Sequence, residues 1–288
     1  MKISEIFNEK KTVFSFEVFP PKKTSSIDSI YSKLDDIAAC KPDFISVTYG
    51  AGGGGASVLT AELCRTIQEK YNIPSMMHLT CVNSSKESVE DVLKVIQEYK
   101  IENILALRGD IVPELPRQTD FMHANELVTY IKARGDFHVS GACYPEGHPE
   151  AESIVSDVLN LKKKVDAGAQ HLVSQLFFEN EMFYSFQEKA RLSGITVPIE
   201  AGIMPVVNKA QIERMVTTCG ASLPPKFVKM LTRFEHSPEA LKDAGIAYAI
   251  DQIVDLFTQG VDGVHLYTMN QPDVARRISE AVASLRSC

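Results

Sequence analysis

Eight short apolar runs recur along this 288-residue chain, and a segment of helical periodicity separates each from the next. The runs are Val13 to Phe16, Phe44 to Val47, Ser75 to Met77, Asn103 to Leu107, His138 to Cys143, His171 to Ser174, Pro198 to Ile203 and Gly263 to Leu266. Strand followed by helix, eight times over, predicts an α/β fold: a (β/α)8 barrel of the TIM type, with residues 1–288 as a single domain. The near-continuous apolar character of several runs suits parallel strands covered by helices. Functional groups of such a barrel sit at the C-terminal strand ends. Most of the runs stop there on a polar or ionisable residue before a Gly- or Pro-containing turn: Glu17 before Phe19-Pro20-Pro21, Thr48-Tyr49-Gly50, His78, Arg108-Gly109-Asp110, Tyr144-Pro145-Glu146, Gln175 and Tyr267.

The intervening segments carry helix signals. Ser88 to Tyr99 sets Val89, Val92, Leu93 and Ile96 on one face, and Ser153 to Val165 does the same before stopping at Gly168. Met182 to Leu192 and Ala240 to Phe257 follow the same pattern. The stretch from Asn208 to Lys242 exceeds one barrel helix and is broken at Leu223-Pro224-Pro225, which predicts an extra helix between the seventh and eighth strands.

Composition removes whole classes of function. A net charge of −7 leaves no basic stripe for a nucleic-acid surface, though a local cationic pocket for a small anion remains compatible with it. No apolar run approaches membrane-spanning length, and the start of the chain lacks a signal-peptide core, so the expected location is the cytoplasm. Six scattered cysteines without a CxxC pair read as reduced thiols. His78 and Cys81 form an isolated HxxC, and no metal is expected.

Several motifs have a bland and a functional reading. Gly50-Ala51-Gly52-Gly53-Gly54-Gly55 satisfies GxGxxG but follows a second strand and lacks the acidic partner, so it reads as a loop over the barrel mouth rather than a dinucleotide fingerprint. Glu17 is either a solvated strand-end carboxylate or a general acid. Phe14, Phe16, Val18 and Phe19 surround it in sequence, and desolvation would favour the protonated form that a general acid needs. Arg108-Gly109-Asp110 is either a local ion pair or a ligand-binding turn. Tyr144 to Glu150 offers an aromatic ring and an imidazole suited to a planar ligand. Asp157, Asn160 and Lys164 share one helical face, which is ordinarily a solvated one.

Taken in order, these residues resemble the methylenetetrahydrofolate reductase family from end to end. The likeness is carried by Phe16-Glu17-Val18-Phe19-Pro20-Pro21, Ser46-Val47-Thr48-Tyr49-Gly50-Ala51, His78-Leu79-Thr80-Cys81, Ala106-Leu107-Arg108-Gly109-Asp110, Tyr144-Pro145-Glu146-Gly147-His148-Pro149-Glu150-Ala151, the run from Asn160 to Ala169, Gln175-Leu176-Phe177-Phe178 and Tyr267-Thr268-Met269-Asn270. The resemblance implies a flavoprotein that reduces 5,10-methylenetetrahydrofolate to 5-methyltetrahydrofolate, with Glu17 as general acid and Asp110 beside it in catalysis. It implies FAD, or else FMN, held by Thr48, Tyr49, Ala51, His78, Arg108, Gly109, Asp110, Tyr144, His148, Ala151, Asp157, Asn160, Lys163 and Lys164. It places the folate against Glu17, Asp110, Gln175, Gln211, Tyr267 and Gln271, and implies an oligomer.

Two positions depart from the family pattern. Bacterial members often carry an aromatic where this chain has Met215, and an arginine that meets the folate where it has Gln271. The changes bear on the electron donor and on part of the folate grip; on this resemblance the donor is either NADH or a partner subunit carrying iron–sulfur or flavin centres. Rival readings are a barrel lyase or aldolase, a flavin-free folate-binding subunit, and a related flavin dehydrogenase acting on an amino acid.

Overall fold

In the computed structural model, which describes residues 1–21, 28–49, 54–110 and 119–287, each apolar run becomes a strand. The strands are β1 (Val13–Val18), β2 (Ile45–Val47), β3 (Ser75–Thr80), β4 (Asn103–Leu107), β5 (His138–Cys143), β6 (His171–Ser174), β7 (Ile199–Ile203) and β8 (Gly263–Tyr267). All are parallel and pair in chain order, and β8 closes on β1 with Glu17 opposite Tyr267. The expected (β/α)8 barrel is the observed fold.

The outer ring contains α2 (Asp28–Ala39), α3 (Gly54–Tyr71), α4 (Lys86–Glu98), α5 (Ala124–Lys132), α6 (Ile154–Asp166), α7 (Asn180–Leu192), α10 (Pro238–Thr258) and α11 (Pro272–Ala281). Local chemistry fixes several starts: the Ser85 hydroxyl accepts the Ser88 N–H at 3.1 Å to cap α4, and Ser153 accepts from Ser156 at 3.1 Å to cap α6. The stretch after β7 forms two extra helices, α8 (Lys209–Cys219) and α9 (Pro225–Phe234), divided where the prolines fall. Their apolar faces gather Phe178, Met204, Ile212, Phe227 and Leu231 into a second core beside the barrel mouth, with the Phe178 and Phe227 rings stacked at 4.5 Å. Gly245, inside α10, lets that helix lie directly against this segment, since a Cβ there would sit 1.6 Å from the Val206 carbonyl oxygen.

Strand alternation sorts the side chains sharply. Phe14, Phe16 and Val18, with Ile45, Val47, Ile104, Val139, Ile199 and Val264, belong to the main apolar core formed with the helices. The inward positions are partly apolar and partly polar. Val13, Phe44, Met76, Leu105 and Val173 form a small apolar cluster with Ile3 and Ile6 of α1 (Ile3–Glu9). The remaining inward residues include Ser15, Ser46, His78, Ser140, His171, Glu200 and His265, all buried.

Those polar residues make stability depend on pH. Burial pushes His78 down to about 4 and both His138 and His171 down to about 3, so all three are neutral when folded. In the unfolded chain they bind protons near pH 6.5, and stability is therefore lost as pH falls below that value. Each contributes on the order of 3 kcal/mol by pH 4. Glu200 acts oppositely: burial raises it to about 7, so it favours the folded state as pH falls from 7 toward 4.5. With three groups against one, the melting temperature should drop steeply between pH 6.5 and 4. His138→Gln should flatten that slope. A melting temperature constant across this window, in both proteins, would contradict the buried-histidine account.

Candidate active site

A cavity of about 880 Å³ opens at the C-terminal ends of the strands, the end where the sequence analysis placed the chemistry. Its walls include Glu17, Thr48, Tyr49, His78, Arg108, Gly109, Asp110, Tyr144, His148, Ala151, Asp157, Asn160, Lys163, Lys164, Gln175 and Tyr267. Three other candidates stand apart. Ala51 lies outside the described residues, and so does the side chain of Gln211 on α8. Gln271 occupies the N-cap position of α11 and is not part of the cavity wall.

Glu17 sits at the floor of this cavity with its side chain 19% exposed. The aromatic neighbours that suggested an apolar setting do not surround its carboxyl group. Phe14 and Phe16 point to the opposite side of β1, because successive strand residues alternate. What faces the carboxyl instead is a pair of imidazoles: His78 Nε2 lies 3.5 Å, and His265 Nε2 3.6 Å, from Glu17 Oε2. His78 Nε2 is buried and makes no hydrogen bond among the described residues.

The turn after β8 holds the backbone around Glu17. The Thr268 hydroxyl donates to the Glu17 carbonyl at 2.6 Å. The Asn270 side chain accepts the Phe19 N–H at 3.1 Å and donates to the Phe19 carbonyl at 2.7 Å. Met269 and Asn270 both adopt positive φ, 51° and 52°, to make that turn. Tyr267, before it, donates its hydroxyl to the Ser174 carbonyl at 2.7 Å.

Cations line one side of the cavity. Arg108 forms a two-pronged pair with Glu150, one prong at 2.7 Å. The stem of Lys164 runs over Gly141, where a Cβ would come within 2.6 Å of Lys164 Cδ. Its ammonium donates to the Ala142 carbonyl at 2.6 Å, and burial lowers its proton affinity. Lys163 bonds Asn160 at 3.0 Å. Nearby, Tyr144 and His148 meet edge to face with centroids 4.7 Å apart. Asp157 accepts the His148 backbone N–H at 3.1 Å, and burial raises its carboxyl's affinity for a proton. On the other side, Gln175 accepts the Leu176 N–H through Oε1 at 2.9 Å, which leaves its amide NH2 as a donor. Asp110 is exposed at the rim, and Met215 of α8 closes the wall next to the second core.

His265 and Glu200, absent from the sequence candidates, stand in β8 and β7 beneath Glu17. The available signal was a charged or ionisable residue in the middle of an apolar run, as in Ile199-Glu200-Ala201 and Val264-His265-Leu266.

Known proteins share this chain's pattern. The methylenetetrahydrofolate reductase family profile matches residues 2–283. A 5,10-methylenetetrahydrofolate reductase of Pectobacterium carotovorum is 37% identical over 264 residues, covering 92% of this chain and 88% of its own. That of Escherichia coli is 34% identical with the same coverage. A rice protein named as a probable methylenetetrahydrofolate reductase (NADH) is 37% identical over 93% of this chain, which spans 48% of the rice protein's length. At 11% identity, a Clostridium thermocellum protein described as binding two copies of 5-methyl-5,6,7,8-tetrahydrofolic acid shares the fold, with a TM-score of 0.66 over 97% of this chain and 99% of its own.

Asn270→Ala would remove both bonds to Phe19 and leave its backbone groups unpaired, a cost on the order of 2 kcal/mol. Denaturant unfolding should show a lower midpoint with an unchanged slope. An unaltered midpoint would mean that the β8 turn does not hold the Glu17 segment.

Proposed function

We propose, from the premise that the chain belongs to the methylenetetrahydrofolate reductase family of oxidoreductases, that its cavity holds a flavin beside 5,10-methylenetetrahydrofolate and that Glu17 is the acid of the folate step. The observation that carries this reading is a carboxyl group between two imidazoles on the cavity floor, faced by cations on one wall and by polar partners for a folate on the other.

The residues present fit a flavin nucleotide. Arg108 and Lys164 would meet its diphosphate, and Lys164 has the steric room that Gly141 provides. Tyr144 and His148 would flank the nucleotide portion, which favours FAD over FMN. The partnerless Nε2 of His78, buried at the cavity floor, is a polar atom that a bound ring could satisfy. When bound, the flavin supplies the hydride that reduces the methylene group.

The chain's own groups do the rest. Glu17 gives its proton to a nitrogen bridged by the methylene group, opening the five-membered ring to an iminium cation whose exocyclic carbon accepts hydride. Asp110 accepts from the donor edge of the pterin, and its negative charge favours the cation. Gln175 donates through its free NH2, and Tyr267 supports the floor beside Glu17. The Glu150 carboxylate already engages Arg108, so an incoming phosphate has to displace it.

Met215 favours a second reading of the electron supply. A flexible thioether at the cavity wall orients a nicotinamide ring less firmly than an aromatic does. On that reading the same barrel serves as a catalytic subunit fed by an iron–sulfur or flavin partner rather than by NADH directly.

Glu17→Gln tests the acid. The variant should retain flavin, accept electrons from its donor, and lose folate reduction by about a hundredfold or more. Stopped-flow measurement of the two half-reactions separates them, and equal slowing of both would contradict the assignment.

A further inference from the structure

Beneath Glu17 a line of polar side chains continues down the barrel axis. His265 Nδ1 lies 2.6 Å from the Ser15 hydroxyl, and Ser15 lies 2.8 Å from Glu200 Oε1. Beyond it, Glu200 Oε2 stands 3.0 Å from His171 Nε2 without hydrogen-bond alignment. His171 Nδ1 lies 2.9 Å from the Ser140 hydroxyl. Glu200 is fully buried and serves no contact with the cavity. A carboxyl so placed is costly, and it fills space that Gly263 leaves open, where a Cβ would come within 2.8 Å of Glu200 Cγ.

We propose that Glu200 is a positioning residue for the acid: through Ser15 and His265 it presents an unprotonated imidazole nitrogen to Glu17 and so favours the acid form over the carboxylate. This rests on the reading of Glu17 as the acid. Ser15 has a single hydroxyl proton and two close neighbours. An ionised Glu200 can only accept, so Ser15 donates to it and accepts from His265 Nδ1–H. In the neutral imidazole the lone pair then lies on His265 Nε2, the ring atom facing Glu17. A lone pair there repels a carboxylate and welcomes a carboxylic acid, and the negative charge of Glu200 acts in the same direction.

A proton on Glu200 reverses the chain. Its O–H donates to Ser15, Ser15 donates to Nδ1, and an Nε2–H faces Glu17 and favours its anion. Burial pushes Glu200 up to about 7, against the opposing influence of His265 and the Ser15 hydrogen bond, so the reversal falls near neutrality. Above it the ionised Glu200 keeps the Nε2 lone pair of the neutral ring toward Glu17, the arrangement that welcomes a carboxylic acid. The other groups facing this line keep one charge state there. Burial holds His78 on β3 and His171 on β6 neutral, and it raises the Tyr267 hydroxyl on β8 well above its ordinary value. Ser46 on β2, 3.4 Å from His265 Nε2, does not titrate.

The test reads the link directly by nitrogen-15 NMR of histidine-labelled, ligand-free protein, with the His265 signals assigned by their loss in His265→Gln. His265 should be the Nδ1–H form at pH 8.5 and shift toward the Nε2–H form as pH falls through about 7. That midpoint should vanish in Glu200→Gln. In the folate half-reaction, Glu200→Gln should move the alkaline limb of the pH profile about one unit lower, roughly a tenfold slower rate on that limb. Ser15→Ala leaves both carboxyl groups in place and should act in the same direction. An unchanged His265 form and an unchanged limb in both variants would overturn the proposal. Loss of folate reduction in Glu17→Gln alongside that result would leave the acid standing and remove only Glu200. Full folate reduction in Glu17→Gln would remove the acid, and the His265 signals would still decide whether Glu200 sets its tautomer.

Discussion

Closing eight parallel strands into a barrel forces every second side chain inward, and what those inward positions carry determines the rest of this molecule. The outward set is apolar and packs the helices: Phe14, Phe16 and Val18 on β1, with their counterparts on the other strands. The inward set is mixed: an apolar cluster of Val13, Phe44, Met76, Leu105 and Val173 lies beside polar residues that run from Glu200 and His171 through Ser15 and His265 to Glu17 and His78. An interior of this kind costs stability, since His78, His138 and His171 are held neutral by burial and several buried polar atoms lack hydrogen-bond partners among the described residues. The main core supplies the offset, each fully buried large apolar side chain contributing roughly 1.5–3 kcal/mol.

The barrel and most of its mouth were legible because they rest on local pattern. Strand runs such as His138 to Cys143 keep their bounds in the structure, and the break at Leu223-Pro224-Pro225 separates α8 from α9 as expected. The cavity wall gathers strand-end residues because the fold sends every C-terminal strand end to one face. What the sequence hid depends on pairs far apart in the chain. Ser15 and His265 are 250 residues apart, and no local signal joins them. The setting of Glu17 was misread for a related reason: its neighbours in sequence lie on the opposite side of the strand, while its neighbours in space come from β3 and β8. Gln271 was placed by resemblance alone, and its N-cap position takes it away from the cavity wall.

The two sides of the cavity differ in how ready they are for a ligand. The acid side is built before anything binds, because Thr268 and Asn270 hold the chain around Glu17 through fixed hydrogen bonds. The cationic side is occupied by the protein's own partners, Glu150 on Arg108 and the Ala142 carbonyl on Lys164. A diphosphate bound there exchanges one set of charge-assisted contacts for another, so affinity on that wall reflects a difference rather than a sum. The proposed chemistry needs this division, with a rigid floor for proton transfer and an exchangeable wall for a cofactor.

The central claim is that one cavity brings a flavin and a folate together over Glu17, and a redox titration tests it most directly. The purified chain, carrying its bound cofactor and kept free of oxygen, is titrated with 5-methyltetrahydrofolate while its visible spectrum is recorded. The account predicts flavin absorbance that bleaches as the folate is added, because running the folate step backward returns hydride to the flavin. A colourless protein, or flavin bands that stay unchanged through saturating folate, would contradict it.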